Sequence, residues 1–266
     1  MTKKDAARLD GPIVRGLKLI RLLAEIDTDI SIKDAASHLD LPASTTHRLL
    51  RLLMQEGMVA KNPKTSRYRA GIDLERLGTL LSYKKGFKDQ TLPYLQKIAE
   101  ACGEACMFVA YLPATQQVSI MAAINSLHPL RYEIELYVPH TVLWGATGRS
   151  ILAFLPDDEQ KTIVETGVPS PSTGALPPDF DNLKLELDAI KARGYALTRS
   201  QKVTGAIGIG APVRSGDGKV IGSFCITVPE IRFEPTKEEF LSSLLIQQTA
   251  EFSASIGYRK QSSGGG

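Results

Sequence analysis

Apolar residues recur at helical spacing through the first third of the chain. Ile13, Leu17, Ile20, Leu23 and Ala24 share one face of a helix predicted over residues 11–26, with Pro12 suited to its first turn. Residues 31–41 supply a second, short helix and its turn. Residues 42–57 supply a third, in which Thr46, Leu49, Leu50 and Leu53 face inward. Ser44 is its expected N-cap, and Gly57 the left-handed residue that ends it. Met58-Val59-Ala60 and Tyr68-Arg69 then flank a turn-rich tip at residues 62–66, which predicts a small hairpin. Residues 72–82 read as a further helix. Its Ile72, Leu74, Leu77, Leu80 and Leu81 give it more apolar surface than one small domain needs, enough to pair with a copy of itself or to brace the next domain.

The pattern then alternates between strand-like and helix-like runs. Helices are predicted over 92–101, 149–154, 159–165, 182–193 and 237–258, and strands over 106–112, 117–124 and 130–138. Residues 205–213 and 219–228 form a hairpin around Ser215-Gly-Asp-Gly218, whose residues allow the positive φ angles of a tight turn. The expected fold class is mixed α/β of the α+β kind: an antiparallel sheet with helices packed on it follows a helical first domain. The expected boundaries are 10–71 for the first domain, 72–87 for a linker helix, 88–260 for the second domain and 261–266 for a flexible tail.

Three helices followed by a hairpin describe a winged helix-turn-helix, which points to duplex DNA as a partner. Ser44, Thr45, His47, Arg48 and Arg51 fall on the outer face of the third helix. Arg67 and Arg69 fall on the wing. Short hydroxyls and long cations are the side chains that reach base edges and phosphates. The charge distribution agrees. The 266-residue chain has a net charge of only +3, yet residues 41–70 hold six basic side chains against the single acid Glu56. A basic patch confined to the reading helix and wing is a footprint for phosphates. An ordinary amphipathic surface helix is the plainer alternative, and a winged helix that binds only protein is a third.

Composition narrows the setting. Hydrophobic residues at 43% and charged residues at 23% suit a soluble globular chain, and no apolar run approaches the roughly 20 residues that span a bilayer. The polar N-terminus lacks a signal-peptide core, and Cys102, Cys106 and Cys225 suggest no disulfide framework. The expected compartment is the reducing cytoplasm, with no membrane partner. No metal site is expected: the cysteines lack zinc-ribbon spacing, and the four histidines are scattered. No cofactor is expected either. The glycines of residues 205–210 lie inside a strand hairpin, not before a helix, and residues 145–150 miss the Walker pattern.

Taken whole, residues 10–258 resemble the IclR family of bacterial transcriptional regulators. The resemblance is carried by Leu41-Pro-Ala-Ser-Thr-Thr-His-Arg-Leu-Leu50, Glu56-Gly-Met-Val59 and Arg67-Tyr-Arg-Ala-Gly71 in the first domain. In the second it is carried by Gly145-Ala-Thr-Gly-Arg-Ser-Ile-Leu-Ala153, Arg193-Gly-Tyr-Ala196, Gly208-Ile-Gly-Ala-Pro-Val213 and Ile221-Gly-Ser-Phe-Cys-Ile-Thr-Val-Pro229. The resemblance implies a winged helix joined to a GAF- or PAS-like effector domain. It also implies homodimers or dimers of dimers, and control of catabolic operons by small organic acids.

It further implies an effector site. Ala146, Thr147 and Gly148 would offer backbone N–H groups to a carboxylate. Ala206, Gly208, Cys225 and Thr227 would face it from two strands. Thr198 matches a position at which some relatives carry an acid. Trp144 departs from the family pattern: it is either a stacking surface that favours an aromatic acid or a rim residue of the core. The residue chemistry agrees on the first point, since a glycine-rich turn entering a helix presents free amides to an anion. Cys225 and Thr227, two apart on a strand, share a face. The alternative function is a small-molecule enzyme with the helices serving assembly. No catalytic residue is assigned, because these positions supply no evident base.

Overall fold

The computed structural model describes residues 11–84 and 86–259; the predicted tail at 261–266 lies outside them. The chain divides into two compact units, Met1–Gly86 and Phe87–Gly266.

The first unit holds α1 (Pro12–Glu25), α2 (Ile32–Leu39), α3 (Ala43–Gln55), the hairpin β1 (Val59–Lys61) and β2 (Tyr68–Ala70), and α4 (Ile72–Tyr83). Ser31 caps α2, its Oγ accepting from the Asp34 N–H at 3.1 Å. Asp40, left-handed at φ 51°, turns the chain toward α3. Pro42, not Ser44, is the N-cap of α3: its ring fixes φ for the chain entering the helix, so the helix starts at Ala43, two residues earlier, and leaves Ser44 exposed in the first turn. Thr46, Leu49 and Leu50 are buried against Leu19, Leu23, Ile30, Ala35, Val59 and Tyr68, with Leu53 packed partly on them. The stripe on α1 differs from the one expected. Leu19 and Leu23 are buried, Ile20 is half-buried, and Ala24, Leu17 and Ile13 are exposed, Ile13 at 80%. No residue of α4 is buried.

The second unit is a six-stranded antiparallel sheet between two helical layers. Its elements are α5 (Phe87–Cys102), β3 (Ala105–Leu112), β4 (Gln117–Ile124), β5 (Pro139–Thr141), α6 (Gly145–Leu152), α7 (Asp157–Glu165), α8 (Phe180–Arg193), β6 (Ala196–Arg199), β7 (Ala206–Arg214), β8 (Val220–Pro229) and α9 (Glu238–Ser255). The strand order is β5-β4-β3-β8-β7-β6. The expected strand over 130–138 is not formed; only Pro139–Thr141 pairs with β4. β6 was not among the predicted strands.

Two-residue alternation sorts the sheet's faces. Phe108 of β3, Ile207, Ile209, Ala211 and Val213 of β7, and Phe224, Ile226 and Val228 of β8 pack beneath α5 and α9, where Phe224 stacks on Phe252. The intervening residues turn to α6–α8. There the start of β7 presents Ala206, Gly208 and Gly210, and these small residues let α6 approach the sheet. In the register, Thr198, Gly208 and Thr227 sit side by side across β6, β7 and β8.

Candidate functional site

The outer face of α3 and the wing form the first candidate surface. Ser44, His47, Arg48 and Arg51 are exposed and Thr45 is half-buried. None of Arg48, Arg51, Arg67 and Arg69 is held in an ion pair among the described residues. The wing tip is ordered by its own polar groups. Asn62 Oδ1 accepts from the Lys64 and Thr65 N–H groups, and its Nδ2 donates to Asp29. Arg67 differs from Arg69 in one respect: its Nη1 donates to the Asp29 carbonyl at 3.1 Å, so its guanidinium already fastens the wing to the body. The face therefore combines a helix sized for the major groove, free cations, and a fixed wing beside it.

The second site is a cavity of about 60 Å³ between the start of α6 and strands β6, β7 and β8. Ala146, Thr147, Thr198, Ala206, Gly208, Cys225 and Thr227, all predicted from the sequence, line it. Gly145 begins α6 at φ +77°, a left-handed conformation open to glycine. Its N–H donates to Gln201 Oε1 at 3.2 Å. Helix geometry leaves the Ala146 and Thr147 N–H groups without intrahelical partners, so they and the helix dipole favour an anion there. Thr147 is only 9% exposed, yet its Oγ1 has no hydrogen-bond partner among the described residues. A buried hydroxyl left unpaired beside a cavity suits a polar ligand. The Cys225 thiol, pushed up to about 11 by burial, stays neutral and lies 3.3 Å from Ser223 Oγ. Ser150 Oγ donates to the Ala146 carbonyl at 2.6 Å, holding the first turn of α6 in place.

Two predicted residues lie elsewhere. Trp144 is 6% exposed in the core beneath α6, and its indole N–H donates to the Val168 carbonyl at 2.8 Å. It does not line the cavity, so the ground for preferring an aromatic ligand falls away. Gly148 serves packing: a Cβ there would lie 2.0 Å from the Val142 carbonyl oxygen. Sequence reasoning missed Gln201, Lys202 and Val203, which line the cavity from the loop between β6 and β7. The available signal was their position in a short polar segment just before the predicted strand at 205–213, two of whose residues were already assigned to the site. A larger open cleft of about 1140 Å³ lies around Tyr111, Phe154, Lys191 and the turn at 215–219. Its lining includes the carboxylates of Asp157, Glu159 and Asp217, whereas no carboxylate side chain lines the smaller cavity.

The family model described as bacterial transcriptional regulator IclR C-terminal matches residues 84–254, and the IclR helix-turn-helix domain matches residues 12–63. The chain belongs to the IclR family of bacterial transcriptional regulators. The Streptomyces griseus glycerol operon regulatory protein is 28% identical over 223 residues, covering 83% of this chain and 85% of that one. An IclR transcriptional regulator from Alicyclobacillus acidocaldarius has the same fold, with a TM-score of 0.72 at 20% identity over 92% of this chain and 98% of that one. An IclR homolog from Microbacterium hydrocarbonoxydans, complexed with 4-hydroxybenzoate, matches with a TM-score of 0.68 at 17% identity, over 92% of this chain and 99% of that one. As an IclR-family member this chain is a DNA-binding transcriptional regulator, and its relatives are named as regulators, not enzymes. No described helix is long and apolar enough to cross a membrane.

Proposed function

We propose that this IclR-family regulator binds an operator through α3 and the wing and senses a small carboxylate in the cavity at the start of α6, acting in the cytoplasm on a catabolic operon. One observation carries the effector reading. The free amides of α6, the unpaired Thr147 hydroxyl, and Thr198 and Thr227 converge on one cavity, and no carboxylate side chain lines it. Such a wall donates hydrogen bonds to oxygen and repels no anion. At about 60 Å³ the cavity is well below the roughly 300–1,000 Å³ of sites for drug-sized ligands, so the ligand is compact. The Microbacterium homolog was crystallised with an aromatic acid. Here Trp144 is committed to the core, and the reading is a short aliphatic acid. The exposed Leu17 of α1 and the exposed Ile72, Leu80 and Leu81 of α4 support a homodimer, the base of a possible dimer of dimers, on a two-fold or repeated site.

The test is a mobility shift on the DNA upstream of the chain's own gene, with and without a panel of C2–C4 carboxylates. A specific shift changed by one acid is the expected result. An acid acts by binding one arrangement of the DNA-binding units more tightly than another. A specific shift that no acid changes would overturn the effector reading and leave the DNA reading standing.

A further inference from the structure

A cation stands in the effector cavity that neither the family resemblance nor the sequence pattern assigns. Lys202 lines it beside Thr147 and Cys225. Its aliphatic stem lies across the first residue of α6: a Cβ built on Gly145 would be 3.0 Å from Lys202 Cβ and 3.6 Å from its Cδ. The loop that carries it is closed at both ends. The Ser200 N–H donates to the Ala206 carbonyl at 2.8 Å, the Gly205 N–H donates to Ser200 Oγ at 2.9 Å, and the Gln201 carbonyl accepts from Ser170 Oγ at 2.7 Å. The lysine is therefore fixed at its root and half-buried, and no ion pair or hydrogen bond holds its ammonium among the described residues. A half-buried cation beside free helix amides and an unpaired buried hydroxyl completes a set of donors for one anion.

We propose that Lys202 is the counter-ion of the effector, sharing the acid's carboxylate with the Ala146 and Thr147 amides and the Thr147 hydroxyl, and so makes the site select ionised acids over their neutral analogues. This rests on the effector reading above and adds to it the residue that reads charge. Burial holds the lysine below its ordinary range, with Cys225 of β8 and Glu135 opposing the shift. His140 of β5 is pushed down by burial and then by the charge of Lys202, with Glu135 opposing. A bound carboxylate favours the protonated lysine, so acid affinity falls as pH rises toward the lysine range.

The experiment is calorimetric titration of the full chain with acetate, lactate and malonate, each against its neutral amide, on the native protein, Lys202→Met and Lys202→Arg. At least one acid binds the native protein and its amide does not. Lys202→Met weakens that acid at least about tenfold, while Lys202→Arg keeps affinity within about threefold and loses the decline between pH 7 and 10. Equal binding of the acid to Lys202→Met and native protein overturns this inference alone. Failure of all three acids on the native protein, or equal binding of acid and amide, overturns it together with the effector reading.

Discussion

Gly208 of β7 and Ala146 of α6 face each other so closely that a Cβ on Gly208 would lie 3.0 Å from the Ala146 Cβ and 3.4 Å from Thr198 Oγ1. In the proposed effector reading, the absent side chain leaves the space for the ligand. Gly208→Val fills the cavity from its sheet side, and the expected result is loss of at least about 1.4 kcal/mol of acid affinity, a tenfold change. Operator binding without ligand remains, because α3 and the wing are untouched. Calorimetry and a mobility shift on the same variant separate the two effects.

Arg48 and Arg51 project from the exposed face of α3. Arg48→Ala costs about 1–3 kcal/mol on the operator and relaxes preference at one base position if the guanidinium reads that base. Arg69→Ala weakens all sequences alike and lowers the salt slope by about one contact. Arg67→Ala additionally frees the wing from Asp29 and lowers the melting temperature of the first unit. Competition binding across single-base operator variants, repeated at two salt concentrations, checks all three.

Ile72 and Leu81 of α4 are 75% and 66% exposed. Leu80→Glu/Leu81→Glu places two charges on this surface without disturbing a buried contact. The expected product is a folded monomer with weakened operator binding, seen by sedimentation at micromolar concentration. A dimer that persists would move the pairing surface away from α4.

Arg149 is 2% exposed, and the nearest acid, Glu186 on α8, lies 3.4 Å away. Burial pushes the guanidinium down and Glu186 opposes it. Glu186→Leu leaves a buried cation without its counter-charge and costs about 1–3 kcal/mol of stability. Arg149→Met removes the cation as well and costs less, since apolar replacement of a buried ion is often tolerated. Urea denaturation of both variants tests the order of the two losses.

Ser215 and Lys219 hold the Asp217 carboxyl at about 2, below its ordinary 3.8, in the turn between β7 and β8. A depressed carboxylate stabilises the fold above its unfolded value, and that contribution is lost as pH falls from about 3.8 toward 2. The difference in melting temperature between native protein and Asp217→Asn is therefore full near neutrality and shrinks across that interval. A difference independent of pH would show that the turn does not depend on the charge.

The sequence by itself located the nine α-helices of the described residues, though it started α5 and α6 five and four residues late, and it read one face of β8. Helical spacing marked Leu49 and Leu50 as core, two-residue alternation put Cys225 with Thr227 on one face, and the family resemblance added Ala206 and Gly208. The first two are local consequences of backbone geometry, legible from neighbours in the chain. Where a local pattern had two possible uses, only packing decided. Leu130, Ile134, Leu136 and Val138 alternate like a strand, yet β4 pairs only with Pro139–Thr141, and Leu130, Leu136 and Val138 are left exposed. On α1, Leu19 and Leu23 meet α2 and α3 while the equally apolar Ile13 and Leu17 do not. Trp144 is committed by a hydrogen bond to Val168, 24 residues on, and Lys202 reaches the start of α6 from 57 residues beyond Gly145. Contacts of that range depend on loop closure and on how two helical layers settle against one sheet. Spacing within a single segment carries no record of either.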